Sequence, residues 1–215
     1  MRFRRNMVEK DLSTKYVKFY KNDFGKKVLK RELEFVNLKL EDCKNILSIG
    51  CGPAFLEAKL QHIHPEKKII GVDNSMEMLK QASKTVDLSC GDGQNLMFKD
   101  ASIDCILYLT SLEFIDNYKR ALEESWRVLR ENGKILLLLL NPRSYYFREK
   151  YRNPGSYVRK NIKHTDAAKI KEAFSKYFLI IDEGYYLGIL DNNVFDSNDP
   201  RLASLYFLEG VKHGE

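Results

Sequence analysis

Apolar positions along this chain follow two alternating rhythms. Five short apolar-rich runs, Ile46–Ile49, Lys68–Val72, Val86–Cys90, Ile103–Leu109 and Lys134–Leu140, read as strands, and the first of them leaves no face for solvent and suits the centre of a parallel sheet. Between them the spacing shifts to roughly 3.6 residues, the helical repeat. Ala54 to about His62 reads as a helix ended by His64-Pro65, and Ser75 caps a helix running through Ala82. Tyr118 to Arg130 turns Ala121, Leu122, Trp126, Val128 and Leu129 inward before an Asn132-Gly133 stop. Strands and helices that alternate this way, with short turns at each strand's carboxyl end, predict a doubly wound α/β sheet. Such a sheet takes its ligand outside those ends, near the point where strand order reverses.

The flanks follow other patterns. Residues 13–38 place Tyr16, Phe19, Tyr20, Phe24, Val28, Leu29 and Leu33 along an amphipathic helix with a break expected near Gly25. After the fifth strand, Asn141–His164 is polar, aromatic and basic. A helix over Asp166–Tyr177 and strands over Leu179–Leu187 and Leu205–Val211 complete the chain. The length fits one domain over residues 1–215, with 1–40 as an N-terminal helical cap and 141–165 as a lid segment.

Candidate chemistry gathers at the first strand's end. Gly50-Cys51-Gly52-Pro53-Ala54 is a small-residue turn that lets backbone approach a ligand, since two positions lack side chains and a third carries only a methyl. The second strand ends in Asp73, where a nucleoside-binding fold places an acid against ribose hydroxyls. A strand-end Asp also serves as a turn former or helix cap, but its distance from the glycine turn favours the ribose role. A nicotinamide dinucleotide fits less well. Phe55 stands where that motif places its last glycine, and no Tyr/Lys or His/Arg catalytic pair is evident.

Composition and charge refine this. The chain is 44% hydrophobic and 31% charged, enough apolar content for a core and too much for a disordered chain. Its four cysteines, Cys43, Cys51, Cys90 and Cys105, stand singly with no Cys/His cluster, so metal and disulfide readings are weak and a reduced, cytoplasmic protein is expected. The start Met1-Arg2-Phe3-Arg4-Arg5 has no apolar signal core, and the longest apolar run, Ile135–Leu140, is far shorter than a membrane span, so no membrane partner is expected. The formal net charge is +6, with eleven Lys/Arg against three acids in residues 1–31 and seven against one in 143–163. Such runs serve as solvated faces or bind phosphate-rich partners.

Five motifs in order give the chain a family resemblance: Ile49-Gly50-Cys51-Gly52-Pro53-Ala54; Gly71-Val72-Asp73-Asn74-Ser75-Met76; Gly91-Asp92-Gly93; Ile103-Asp104 with Leu112-Glu113-Phe114-Ile115; and Ala121-Leu122-Glu123-Glu124 with Arg127 to Gly133. The chain resembles class I S-adenosylmethionine-dependent methyltransferases of the type 11 group, closely over residues 45–140 and by architecture elsewhere. The resemblance implies a seven-stranded Rossmann-like sheet, order 3-2-1-4-5-7-6 with strand 7 antiparallel, that last strand supplied by Leu205–Val211. It implies S-adenosylmethionine as cofactor and S-adenosylhomocysteine as product. Gly50, Cys51 and Gly52 would line the methionine part, Asp73 the ribose, Asn74 and Met76 the adenine. Asp92 would accept from the adenine amino group, Gly93 or Gln94 would address the ring edge, and Tyr108 would lie beside the methionine portion. The family carries an acid at the position of Ser48, which orders the glycine loop; serine brings no charge.

Methyl transfer from a sulfonium is a direct displacement, so a base is needed only where the acceptor must lose a proton early. Candidates are Tyr108, Glu113, Tyr145, Tyr146 and His164, with Glu113 equally readable as solvated or helix-capping and His164 as a surface residue; no catalytic residue is assigned. Tyr16 and Tyr20 either close over the cofactor or form a helix face. In the lid segment, Tyr145, Tyr146, Phe147, Tyr151 and Tyr157 interleave with Arg143, Arg148, Arg152 and Arg159. That pattern serves a packed lid or an RNA-stacking surface. A small-molecule methyltransferase is therefore the leading expectation, with an RNA or other macromolecular methyltransferase and a noncatalytic binding module as alternatives. The acceptor and the oligomeric state are not legible.

Overall fold

A computed structural model describes residues 13–213; the earlier part of the expected cap and its basic residues lie outside the described residues. Strand β1 (Asn45–Ile49), β2 (Lys68–Asp73), β3 (Asp87–Cys90), β4 (Ile103–Leu109), β5 (Leu129–Leu140), β6 (Phe178–Leu190), β7 (Asn193–Phe195) and β8 (Ala203–Lys212) form one sheet. Its order is β3-β2-β1-β4-β5-β8-β6-β7. The expected seven strands become eight because β6 turns back through a tight hairpin to pair with β7 at the edge, Gly188 opposite Phe195. The rest of the order matches: β1 to β5 pair in parallel, and β8, the expected antiparallel strand, lies between β5 and β6 and runs against both.

Alternation along the strands sends side chains to two cores. Leu47, Ile49, Ile106, Tyr108, Ile135, Leu137 and Leu139 meet α5 (Tyr118–Val128) and α8 (Ala167–Phe174). Ile46, Cys105, Leu107, Leu136 and Leu138 meet α2 (Asp23–Lys39) and α3 (Phe55–Ile63) on the other face. Both sheet faces are thus covered, as the apolar-rich runs require. The remaining helices are α1 over residues 13–21, the single-turn α4 (Met76–Leu79), α6 (Tyr145–Arg152) and α7 (Tyr157–Asn161). The cap breaks at Asn22, three residues before the glycine, because the Asn22 side chain accepts from the Gly25 N–H and caps α2. Gly25 is needed there, since a Cβ would fall 2.0 Å from the Phe19 carbonyl oxygen.

The reduced-cysteine expectation is corrected. Cys43, in the loop before β1, and Cys105, on β4, form a disulfide across a Cα–Cα distance of 5.9 Å. The two are 62 residues apart in sequence and meet only because β4 pairs beside β1, so spacing gave no sign of the bond. Cys51 and Cys90 are free. A bridge closing a loop of that length stabilises by roughly 2–4 kcal/mol. Adding reductant is expected to lower the melting temperature by about 5–15 °C in differential scanning calorimetry, with Cys43→Ser showing no further response to reductant. Among the described residues no helix is long and apolar enough to cross a membrane.

Candidate functional site

Strand order reverses between β1 and β4, whose following segments diverge: β1 leads by α3 to β2, while β4 lies on its other side. A cavity of about 350 Å³ opens at this point. Its lining draws on the turn after β1 (Gly50, Gly52), the end of β2 (Asp73, Asn74, Ser75), the segment after β3 (Gly91, Asp92, Gly93, Gln94) and the end of β4 (Leu109, Thr110, Ser111). Tyr16 of α1 and Tyr157, Asn161 and Lys163 from residues 141–165 also line it, as do Phe114 and Asp116 after β4.

The first turn is held open by its backbone. Gly50 and Gly52 have φ of 72° and 55°, in the left-handed region open to glycine at little cost. Gly52 donates its N–H to Asp73 Oδ2 at 2.8 Å, and Ser75 donates to Asp73 Oδ1 at 2.8 Å. Asp73 therefore braces two loops while each carboxylate oxygen keeps a lone pair for a hydroxyl. Burial raises its carboxyl above the ordinary value, opposed by those two N–H donors. Across the cavity, Asp92 Oδ1 accepts from the Gln94 N–H at 2.9 Å. Ser111 donates its hydroxyl to the Ile49 carbonyl at 2.6 Å, tying the ends of β1 and β4 together. Thr110 beside it has φ of 46°, a strained conformation for a β-branched residue and the kind of cost that collects at functional sites.

The structure brings six of the nine expected cofactor residues, Gly50, Gly52, Asp73, Asn74, Asp92 and Gly93, to this cavity and places three elsewhere. Tyr108 is fully buried on the α5 side, where its hydroxyl bonds Ser125 Oγ at 2.8 Å and the Ala121 carbonyl at 3.3 Å. Strand alternation decides this: Leu109, one residue on, reaches the cavity instead. Met76 is half exposed, and Met78 from the next part of the same turn lines the cavity. Cys51 turns back over Gly71, where a Cβ would meet its sulfur at 2.7 Å, and borders a separate space of about 20 Å³ behind the glycine turn. Burial raises its thiol's pKa, so it is not an activated nucleophile.

Ser48 lies on the α3 face and donates to Glu57 Oε1 at 2.6 Å, both side chains buried. A carboxyl group therefore stands behind the glycine turn after all, delivered from the helix rather than the strand. Burial pushes Glu57 up to about 7, with the Ser48 hydroxyl opposing. The five candidate bases are absent from the main cavity's lining. Glu113 is buried rather than solvated, and His164 Nε2 meets the carbonyl oxygens of Ile115 and Asp116 at 2.9 and 3.1 Å. Tyr145 and Tyr146 line a separate cavity of about 390 Å³ between α6 and residues 189–192. Ser111, Thr110, Asn161 and Lys163 had no sequence signal, since each is defined by where its segment lands. Among the described residues no group of three or more His, Cys, Asp or Glu side chains is placed to hold a metal ion.

Comparison with known proteins agrees with this geometry. Residues 47–137 match the family model of a methyltransferase domain. An uncharacterised protein of Methanocaldococcus jannaschii is 28% identical over 168 residues, covering 76% of this chain and 72% of its own length. Demethylmenaquinone methyltransferase of Thermotoga maritima is 30% identical over 102 residues, 46% of this chain and 44% of the enzyme. The chain spans between 29% and 72% of the lengths of the first three curated relatives it matches. A solved S-adenosylmethionine-dependent methyltransferase of Thermotoga maritima, described as a possible histamine N-methyltransferase, shares the fold with a TM-score of 0.79, at 22% identity over 96% of this chain and 99% of that one.

Proposed function

We propose, for a chain whose residues 47–137 match a methyltransferase-domain family model, that it is a class I S-adenosylmethionine-dependent methyltransferase, that its main cavity binds S-adenosylmethionine and that it transfers a methyl group to a small-molecule acceptor. One observation carries the reading: the glycine turn, Asp73 and Asp92-Gly93 converge on one cavity at the strand-order reversal. The residues fit the cofactor. A Cβ on Gly52 would meet nothing nearer than a Tyr16 ring carbon at 3.8 Å, so this backbone faces open cavity. Asp73 would hold the ribose hydroxyls, Asp92 and the backbone near Gly93 the adenine, and the Gly50 to Gly52 turn the methionine part.

When bound, the cofactor supplies an electrophilic methyl group. The chain's own residues align the acceptor and exclude water. Tyr16, Tyr157 and Phe114 serve this by walling the cavity with aromatic rings, Tyr157 lying 6.4 Å from Tyr16 and 5.5 Å from Phe114 between centroids. An acceptor that must lose a proton early is poorly served: of the carboxylates among the described lining residues, Asp73 and Asp92 face the cofactor in this reading and Asp116 is paired with Lys163 at 2.6 Å. The reading therefore favours acceptors that are nucleophilic as bound.

A macromolecular acceptor is the second reading, favoured by the basic, aromatic cavity along α6. Against it, the two rings of that cavity already carry cations of their own, Arg148 over Tyr145 at 5.0 Å and Lys150 over Tyr146 at 5.1 Å, as does nearby Tyr151 on the same helix, with Arg159 at 4.5 Å. The test is transfer of labelled methyl from S-adenosylmethionine to a metabolite extract and to total RNA. Label is expected in the small-molecule fraction, unaffected by ribonuclease; label in RNA, with strongly salt-dependent binding, supports the second reading instead. A chain that binds no S-adenosylmethionine would leave only the noncatalytic one.

A further inference from the structure

Glu113 sits in the 3₁₀ turn Leu112–Phe114 between cavity residues Ser111 and Phe114. It is 2% exposed. Its Oε1 accepts the Leu140 N–H from the end of β5 at 2.9 Å, while Oε2 is buried with no hydrogen-bond partner. Its carbonyl oxygen accepts two N–H groups from the lid's exit, Lys163 at 3.0 Å and His164 at 3.1 Å. A buried carboxylate with an orphaned oxygen is costly, and a neutral carboxyl in the same place is much less so.

We propose that Glu113 is a positioning residue that pins the lid's exit to the ends of β4 and β5, and that ionising it loosens the hold of Tyr157 and Lys163 over the cavity. The charged groups around it do not offset its charge. Lys163 Nζ pairs with Asp116 at 2.6 Å, and His164 points its ring at carbonyl oxygens and the Tyr118 ring. Burial raises its carboxyl from the ordinary 4.5 to about 7, opposed by the Leu140 N–H. The docked lid therefore keeps the proton and an opened one releases it. Docking is firmest below the ordinary value, weakens as pH climbs toward 7, and weakens little further above that.

The lid's contribution to methyl transfer rests on the proposed cofactor site; its docking does not. The test is amide hydrogen exchange over residues 157–164 of the full chain, corrected for intrinsic rates, at about pH 6 and about pH 8. Wild type is expected to open about tenfold more at the higher pH. Glu113→Gln, which keeps the acceptor for Leu140 and never ionises, is expected to remove that pH dependence, and Glu113→Ala to open more at both values. A Glu113→Gln chain that keeps the wild-type pH dependence would overturn the proposal, as would a wild type that lacks it. Calorimetry with S-adenosylmethionine on the same samples separates the two readings. No binding at either pH sinks the cofactor site and leaves the exchange result standing; binding that weakens with pH in wild type but not in Glu113→Gln supports both.

Discussion

Replacing Asp73 with alanine is expected to weaken S-adenosylmethionine binding by at least about 100-fold, measured by isothermal titration calorimetry, with the melting temperature of the free chain falling by only a few degrees. The size follows from two losses at once. The carboxylate would give two charge-assisted hydrogen bonds to the ribose diol, each contributing roughly 1.5–3 kcal/mol. It also holds the Gly52 N–H at 2.8 Å and the Ser75 N–H at 2.8 Å, so its removal frees the glycine turn and the start of α4. Asp73→Asn separates the two losses. The amide has one acceptor oxygen where the acid has two, so it can brace one loop but not both, and an intermediate affinity is expected. Wild-type affinity in Asp73→Ala would place the ligand somewhere other than this cavity.

The second large effect is expected from Gly50→Ala. A left-handed φ of 72° costs an L residue roughly 1–2 kcal/mol, and the new Cβ would fall 2.4 Å from Ser111 Cβ. Ser111 cannot yield freely, because its hydroxyl is bonded to the Ile49 carbonyl at 2.6 Å in the adjoining strand. The variant is expected to lose about 5–10 °C of melting temperature and at least about tenfold in cofactor affinity. Ser111→Gly removes that contact but also the hydroxyl bonded to the Ile49 carbonyl, so the expected result is a difference: Gly50→Ala costs less in the Ser111→Gly background than in the wild type. An equal cost of Gly50→Ala in the wild-type and Ser111→Gly backgrounds would show that the Ser111 contact is not the cause.

Both predictions concern residues visible in the sequence, and the reason is that their chemistry is local. Gly50, Gly52 and Asp73 sit at strand ends that apolar-rich runs mark, and short turns leave such residues few places to go. Asp92 and Gly93 follow the same rule at β3. Tyr108 did not, although it is only one residue from the end of β4. A strand sends neighbours to opposite faces, so a shift of one position separates the α5 core from the cavity mouth. Met76 and Cys51 also lie outside the cavity's lining, Met76 two residues before Met78 in the same turn and Cys51 by the direction of its side chain. Ser48 looked like a missing charge because its partner, Glu57, is on another element and meets it only when α3 packs on β1.

The sequence by itself determined the alternation of strands and helices, the small-residue turn that brings backbone to a ligand, and the acid at the end of β2. These depend on backbone freedom, apolar continuity and a few residues of spacing. The tertiary structure decided the eighth strand, the Cys43–Cys105 bond, the carboxyl behind the glycine turn and which residues after β5 line the cavity. Each needs two segments far apart in the chain to meet with a particular register and face, and that information resides in the packing of the whole sheet rather than in any one stretch of it.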